Sequence, residues 1–192
     1  SDLAAGVKRL VFASSAAIYG DVASLPVREE SAKLPISPYG AAKLASEALL
    51  LGHGAAYGMT VRCQRYFNVF GPRQDPASPY SGVISIFARR HREGLPVTVH
   101  GDGGQTRDFI SVHDVARANV IAATRAGIQS GAANICTGRA TSLLDVLTVF
   151  RRHHPSAPAD IFAEARAGDI RHSRGAADVA ASELGFHAEV GI

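Results

Sequence analysis

The sequence is poor in several residue types, and each shortage excludes a class of protein. Its 192 residues include no tryptophan and only two cysteines, Cys63 and Cys136, which form no Cys-x-x-Cys pair. Two isolated cysteines favour buried thiols in a reducing compartment over a disulfide framework. No run of 18 apolar residues is present, so we expect no membrane-spanning helix. These features predict a cytoplasmic globular protein that has no membrane partner.

Patterns for metal and nucleic-acid binding are also missing. The eight histidines form no HExxH motif and no zinc-type pairing with cysteine, so we expect no metal site. The net charge is only +3, and the densest basic cluster, Arg89, Arg90 and Arg92, ends an amphipathic segment. With no aromatic residues interleaved, this cluster favours a solvated face over an RNA- or DNA-binding surface.

What the sequence does contain is an alternation of strand and helix patterns. The predicted strands are Val7–Ala13, Thr60–Phe67, Val97–His100, Phe109–Val112, Ala133–Cys136 and Ile161–Ala163. The predicted helices are Ser37–Tyr57, Ser81–Glu93, His113–Ala126, Ser142–His153 and Ala176–Leu184. Gly20–Pro38 and Asn68–Pro79 are predicted to be loops, because they are rich in turn-forming residues. Such alternation indicates an α/β fold with a mostly parallel sheet.

A tyrosine and a lysine four residues apart, Tyr39 and Lys43, lie within the first predicted helix. Residues at this spacing share one helix face, so the two side chains are neighbours. An ammonium group beside a phenol favours the phenolate form. Such a tyrosine can take a proton from a sugar or alcohol hydroxyl while hydride leaves for a nicotinamide ring. Alone, the same spacing is also typical of a solvated helix face.

Polar residues follow two of the predicted strands. Ser14 and Ser15 come directly after Val7–Ala13, and Arg65–Arg73 closes the next strand. Because ligands of open parallel sheets bind at the carboxyl ends of strands, these residues and the Tyr39/Lys43 pair predict a ligand site at that edge.

Six motifs give the chain a resemblance to the extended short-chain dehydrogenase/reductase family, specifically to its NAD-dependent nucleotide-sugar epimerases, typified by UDP-glucose 4-epimerase. They are SSAAIYG (14–20), SPYGAAK (37–43), RYFNVFGPRQDP (65–76), TRDFISVHDVA (106–116), NICTGRATSLLDV (134–146) and RAGDIRHS (166–173). They occur in the order and spacing of that family.

The resemblance implies a role for each matching residue at the reacting centre. Tyr39 is the expected acid/base, and Lys43 is expected to hold the nicotinamide ribose of NAD. Ser15 is expected to bridge the substrate hydroxyl to Tyr39. Phe67 and Ala13 are expected beside the cofactor.

The resemblance also implies a UDP-sugar substrate, epimerised at C4 through a transient 4-keto sugar. Thr98 to His100 are expected to flank the uracil, and Asp169 is expected to bind the uridine ribose. The residues expected to hold the diphosphate are Asn68, Arg107 and Arg166.

Two positions narrow the reaction within the family. Similar dehydratases and decarboxylases carry an acidic residue where Ala17 stands, and dehydratases often carry one at Ala16 too; alanine favours a plain epimerase. Ser173 stands where epimerases restricted to unacetylated hexoses have a bulky residue, so UDP-GlcNAc and UDP-GalNAc are expected to be accepted as well.

The implied fold is the C-terminal part of a Rossmann-type doubly wound parallel sheet plus a smaller α/β substrate-binding domain. Residues 1–78 are expected to belong to the NAD-binding domain. Residues 79–192 are expected to be mainly substrate-binding, with 105–138 returning to the sheet. No G-x-G-x-x-G turn follows a predicted strand, so we expect a fragment, or the ordered part of a longer polypeptide, that lacks most of the NAD-binding half. The full-length form is expected to be a homodimer.

The sequence also leaves two other functions open. One alternative is another family member acting on a similar sugar nucleotide, such as a dehydratase, decarboxylase or reductase. A second, from a different class, is an inactive sugar-nucleotide-binding fragment.

Overall fold

The computed structural model describes residues 6–78, 82–166 and 168–192, in which strands and helices alternate. The strands are β1 (Arg9–Ser15), β2 (Thr60–Tyr66), β3 (Asn68–Phe70), β4 (Thr98–His100), β5 (Thr106–Arg107), β6 (Phe109–Ser111), β7 (Gly131–Ile135), β8 (Thr141–Ser142) and β9 (Ile161–Ala163). The helices are α1 (Pro38–Tyr57), α2 (Val83–Arg92), α3 (Val112–Thr124), α4 (Leu143–His153) and α5 (Asp178–Leu184), and a 3-10 turn spans Ala16–Ile18.

The main sheet is parallel and has the strand order β1-β2-β7. Ser15 at the end of β1 pairs with Tyr66 at the end of β2, and Tyr66 pairs with Ile135 at the end of β7. All three strands therefore end at one edge, where their following loops meet. The predicted α/β class with parallel strands is confirmed.

Three two-stranded pairings lie outside this sheet. β3 pairs with β6 and β4 with β9, both in parallel, whereas β5 pairs with β8 antiparallel. The β3–β6 pair begins where Asn68 aligns with Phe109 and carries the chain on from the end of β2.

Helix α1 begins and ends at residues suited to those positions. The Ser37 side chain accepts a hydrogen bond from Gly40 N at 3.1 Å, and Pro38 occupies the first turn, where its missing N–H costs nothing. Gly58 ends the helix with a φ of 69°, a left-handed conformation that glycine adopts without strain. The local sequence therefore determines where the helix that carries Tyr39 and Lys43 starts.

Two apolar clusters pack the helices against the strands that carry the site. One packs α3 and α5 against the main sheet around Ile110, Ile135 and Leu184. The other joins α2, β4 and α4 around Phe87, Val99 and Leu147. No helix in the described part of the chain is long and apolar enough to cross a bilayer.

The prediction of element types was largely right, and its errors have a common cause. Asn68–Phe70, predicted as part of a loop, is strand β3, and the short strands β5 and β8 were not predicted. These segments form strands only because a distant partner supplies their hydrogen bonds. Strand β1 begins and ends two residues later than predicted, at Arg9 and Ser15. The predicted helix start at Ser81 and the domain boundary at residue 79 lie outside the described residues.

Candidate active site

Ser15 lies at the point where β1 ends and the 3-10 turn begins. Its Oγ accepts a hydrogen bond from Ala17 N at 3.2 Å, so the serine caps this turn. Ser14 is buried, and its Oγ has no hydrogen-bond partner in the described part of the chain. The capping bond holds the Ser15 hydroxyl at the sheet edge, where the sequence predicted a ligand site.

The first turn of α1 packs directly on this 3-10 turn because Gly40 has no side chain. A Cβ at Gly40 would lie 2.5 Å from Ala17 O, which is closer than any side chain tolerates. Tyr39, the preceding residue, is 44% exposed on the open side of the same turn. The glycine thus brings the tyrosine close to the end of β1.

Lys43 joins Tyr39 to the strand. Its Nζ donates a hydrogen bond to Ala13 O at 2.7 Å and lies 5.7 Å from the centre of the Tyr39 ring. The Phe12 ring centre is 5.0 Å from the same Nζ. The structure therefore brings together Ala13, Tyr39 and Lys43, three of the residues expected at the cofactor.

Two adjoining cavities open beside this helix. The first, here named the serine cavity, has a volume of about 320 Å³ and is lined by Ser15, Phe67 and Ser173 among others. The second, the arginine cavity, has a volume of about 380 Å³ and is lined by Thr98, His100 and Arg166 among others. Three of the predicted residues line both cavities: Asn68, Arg107 and Asp169.

The two cavities adjoin at these three wall residues, and together they are here named the cleft. All eight predicted substrate-binding residues line it. Tyr39 and Lys43 are not among the described wall residues, but Gly40 between them packs on Ala17, which lines the serine cavity. The serine cavity therefore lies beside the first turn of α1.

The shared wall is held in place by main-chain bonds. Asn68 N donates to Asp108 O at 2.9 Å, and Ser173 N donates to Thr106 O at 3.1 Å. Arg107 Nη1 donates to Thr106 O at 2.9 Å. Burial lowers the pKa of Arg107, while the nearby Asp169 carboxylate works in the opposite direction. Arg107 remains a cation at neutral pH in spite of its burial.

A buried carboxylate ties three segments together behind this wall. Asp108 is fully buried and accepts hydrogen bonds from Thr137 N and Oγ1, Gly138 N and Gly175 N, at 2.7–3.2 Å. Burial raises the pKa of the Asp108 carboxyl, although these bonds lower it. The segment that carries Ser173 is thereby anchored to the strand that follows Arg107.

The outer wall of the arginine cavity is held by an exposed ion pair. Arg171 donates to both Asp102 oxygens at 2.8 Å, joining the turn after β4 to the segment that carries Asp169. The hydrogen bonds from Arg171 lower the pKa of Asp102 to about 2. His100 Nδ1 lies 3.2 Å from Glu164 O on the same segment.

The prediction missed most of the apolar wall of the serine cavity. Val22, Leu25, Val27 and Ile36 come from the segment predicted only as a loop, and all line the cavity. Tyr19, 2% exposed, completes the wall beneath them. The only sequence signal was the apolar character of these residues within a region otherwise rich in proline and charge.

Other centres are not seen in the described residues. No group of three or more histidine, cysteine, aspartate or glutamate side chains in residues 6–78, 82–166 and 168–192 could hold a metal ion. Cys63 and Cys136 are buried free thiols, and burial raises the pKa of Cys63 to about 12. Both thiols are therefore chemically inert at neutral pH.

The profile of the NAD dependent epimerase/dehydratase family matches residues 3–136. The chain belongs to this family. UDP-glucose 4-epimerase of Azospirillum brasilense is 35% identical over 198 residues, which cover 96% of this chain and 57% of that protein. The chain spans just over half the length of the curated relatives it matches.

Solved structures agree with this assignment. UDP-glucose 4-epimerase of Thermotoga maritima with UDP-glucose superposes with a TM-score of 0.91 at 35% identity, covering 99% of this chain and 61% of that chain. UDP-N-acetylglucosamine 4-epimerase of Methanobrevibacter ruminantium, in complex with UDP-N-acetylmuramic acid, gives a TM-score of 0.90 at 34% identity, covering 96% and 58%.

Proposed function

We propose that the protein epimerises a UDP-hexose at C4 and interconverts UDP-glucose and UDP-galactose. The observation that carries the proposal is the placing of Tyr39 and Lys43 together beside β1, where the Lys43 ammonium is bonded to Ala13 O and Ser15 lines the serine cavity. Membership in a family of NAD-dependent epimerases and dehydratases supports it.

The chain's own residues account for the proton transfer. Tyr39 takes the proton from the C4 hydroxyl and later returns it, and the Lys43 ammonium lies 5.7 Å from the centre of its ring. Ser15 hydrogen-bonds the sugar oxygen and orients it toward Tyr39. After the first proton transfer the 4-keto sugar rotates in the cleft, so that the opposite face of its C4 carbonyl becomes available to the cofactor.

The residues around Lys43 are suited to binding NAD. One N–H of the ammonium is bonded to Ala13 O, and an ammonium has three donors, so a ribose hydroxyl can accept another. The buried Phe67 ring gives the nicotinamide an apolar neighbour. When bound, NAD supplies the hydride acceptor and donor at C4.

The arginine cavity is proposed to hold the UDP part. Asn68, Arg107 and Arg166 supply amide and guanidinium donors that match diphosphate oxygens. Asp169 accepts from the uridine ribose hydroxyls. Thr98 and His100 lie along β4, where backbone groups can bind the uracil.

We propose that residues 1–78 belong to a Rossmann-type NAD-binding domain and residues 79–192 mainly to a smaller α/β substrate domain, with 105–138 returning to the sheet. The pairing of β7 with β2 supports that return.

Buried free thiols suit a cytoplasmic location. The exposed side chains of Leu49 and Tyr57 on α1 suit a homodimer in the full-length form.

The alternatives within the family are less well supported. A dehydratase or a decarboxylase of this type needs a carboxyl group to move a second proton, and Ala16 and Ala17 stand in the cleft wall instead. A reductase would need free reduced cofactor rather than one that is regenerated in each cycle. An inactive UDP-sugar-binding fragment would retain the arginine cavity and lose turnover.

We further propose that the sugar pocket accepts an N-acetyl group. Ser173 lines the serine cavity, and a serine leaves more room there than a bulky side chain would. A Ser173→Tyr variant is expected to lose activity on UDP-GlcNAc and to keep it on UDP-glucose.

The test follows the anomeric protons of UDP-glucose by NMR after the protein is mixed with NAD⁺. The expected result is the appearance of UDP-galactose, and of UDP-GalNAc when UDP-GlcNAc replaces UDP-glucose. Loss of water to give a 4-keto-6-deoxy sugar would instead identify a dehydratase. No conversion, together with UDP binding in a calorimetric titration, would identify a binding fragment.

A further inference from the structure

A buried arginine bonds both to helix α1 and to the segments that carry part of the serine cavity wall. Arg65 lies at the end of β2 and is only 5% exposed. A buried guanidinium needs acceptors for its five N–H groups, and the positions of those acceptors show which segments it connects.

The first of these acceptors lies on the helix that carries Tyr39 and Lys43. Arg65 Nε and Nη2 donate to the two Glu47 carboxylate oxygens at 3.0 and 2.8 Å. Glu47 is 3% exposed and lies one helical turn after Lys43, on the same face of α1. The two-point contact fixes both the distance of the helix from the strand and its rotation.

The remaining acceptors belong to the wall of the serine cavity. Arg65 Nη1 donates to Tyr19 Oη at 2.8 Å and to Glu29 O at 3.0 Å. Tyr19 Oη in turn donates to Asn134 Oδ1 at 2.7 Å, and Asn134 Nδ2 donates to Val27 O at 2.9 Å. A single guanidinium therefore joins α1, the residue after the 3-10 turn and the apolar loop over the cavity.

Charge and burial explain why only arginine can make this set of contacts. Burial opposes the charge of Arg65, but its hydrogen bonds to Glu47 and Tyr19 outweigh this, so the pKa of the guanidinium is raised. Lysine would keep the charge but could not donate in three directions from one plane.

We propose that Arg65, acting through Glu47 and Tyr19, is a positioning residue that sets the place of Tyr39 and Lys43 against the sugar. The inference rests on the proposed epimerase function. It deepens that function by assigning the alignment of the reacting end to a buried group that is outside the substrate-contacting set.

The same strand offers a matched control. Arg62 also lies on β2 and is 1% exposed, and its Nη1 lies 2.6 Å from Glu183 Oε2 on α5, away from the cleft. Arg62→Lys therefore disturbs a buried arginine on the same strand without altering any contact to α1 or to the cavity wall.

The experiment compares Arg65→Lys with Arg62→Lys in steady-state epimerisation. For Arg65→Lys, kcat is expected to fall about 100-fold, the usual cost of a displacement of about 1 Å. KM for UDP-glucose should stay within about threefold, because different residues hold the nucleotide. Arg62→Lys should leave both constants near those of the parent. An unchanged kcat in Arg65→Lys, or an equal fall in both variants, would overturn the proposal.

A second readout does not depend on turnover. Amide hydrogen exchange of residues 20–36 and 37–47 should quicken in Arg65→Lys and stay as in the parent in Arg62→Lys. If the parent itself does not epimerise, the epimerase function fails, and exchange alone then decides the positioning claim: faster exchange in both segments supports it and unchanged exchange overturns it. If Arg65→Lys does not fold, Glu47→Gln replaces it and is judged by the same criteria. Glu47→Asp is then the conservative variant, and it is expected to recover part of the kcat that Glu47→Gln loses.

Discussion

The two cavities of the cleft are held in different ways. The serine cavity is walled by buried side chains such as Tyr19 and Phe67 and is supported by Arg65 and Asp108, which form buried charged networks. The arginine cavity is bounded on its outer side by exposed segments, joined by the exposed Asp102–Arg171 pair and by main-chain bonds. Buried charged groups support one end of the site, and an exposed ion pair bounds the other.

The difference matches what each end is proposed to do. Proton transfer depends on placement within a fraction of an ångström, so the reacting end gains from buried, fully bonded supports. Binding of a diphosphate depends mainly on charge, and guanidinium groups at a partly open wall suffice for it. Substitutions at the two ends should therefore affect different constants.

The largest effect is expected at Tyr39. In Tyr39→Phe the phenol that moves the C4 proton is lost, and turnover should fall by about 10²–10⁴-fold. Affinity for UDP, measured by calorimetric titration, should stay close to that of the parent, because Tyr39 lies outside the arginine cavity. Turnover at the parent level would remove Tyr39 from the mechanism.

Arg107 is expected to show the opposite pattern. Arg107→Met removes a half-buried cation from the wall shared by the cavities, so UDP should bind about 10–100-fold more weakly, as expected when a hydrogen bond to a charged group is lost. Saturating substrate should restore most of kcat. A variant whose UDP affinity equals that of the parent would show that the diphosphate is held elsewhere; Arg139→Met, at an exposed site outside the cleft, is the control.

A smaller effect is expected at the exposed pair. Asp102→Asn removes the ion pair with Arg171 and frees the segment that carries Asp169, but exposed pairs contribute little. UDP affinity should fall only about two- to threefold, with kcat unchanged. A loss as large as that of Arg107→Met would mean that the outer wall is as critical as the buried one.

The smallest effect is expected at a buried histidine that lines neither cavity. His91 is buried, its ring lies 5.1 Å from that of Phe150, and burial together with the nearby His154 lowers its pKa. Because the folded state resists the proton, stability should be lost as the pH falls from about 6.5 toward the lowered pKa, by at most about 1.4 kcal/mol per pH unit. His91→Phe keeps the ring contact and should show a smaller fall in melting temperature between pH 7.5 and 5.5. An equal fall in both proteins would assign the acid sensitivity to another group.

Local signals made the reacting end predictable. Tyr39 and Lys43 meet because helical spacing alone brings them together, and Ser37 and Gly58 mark the ends of their helix in the sequence. The predicted parallel strands followed from short apolar runs between helices. The resemblance to the epimerase family implied substrate roles for eight residues, and all eight line the cleft.

Contacts between distant parts of the chain were not predictable. Strand β3 pairs with β6, about 40 residues away, and a proline- and glycine-rich flank concealed it. The Arg65–Glu47 pair joins a strand to a helix through side chains that would otherwise be predicted to lie on the surface. Their burial depends on packing that only the folded chain defines.

The central claim is that the two cavities form one UDP-sugar site. It is tested most directly by mapping backbone amide shifts of the ¹⁵N-labelled chain on titration with UDP and then with UDP-glucose. UDP alone should shift Thr98–Arg107 and the segment around Asp169, and UDP-glucose should add shifts at Ser15–Gly20 and at Phe67 and Asn68. The same shifts with both ligands, with none added at Ser15–Gly20 or at Phe67 and Asn68, would contradict the claim.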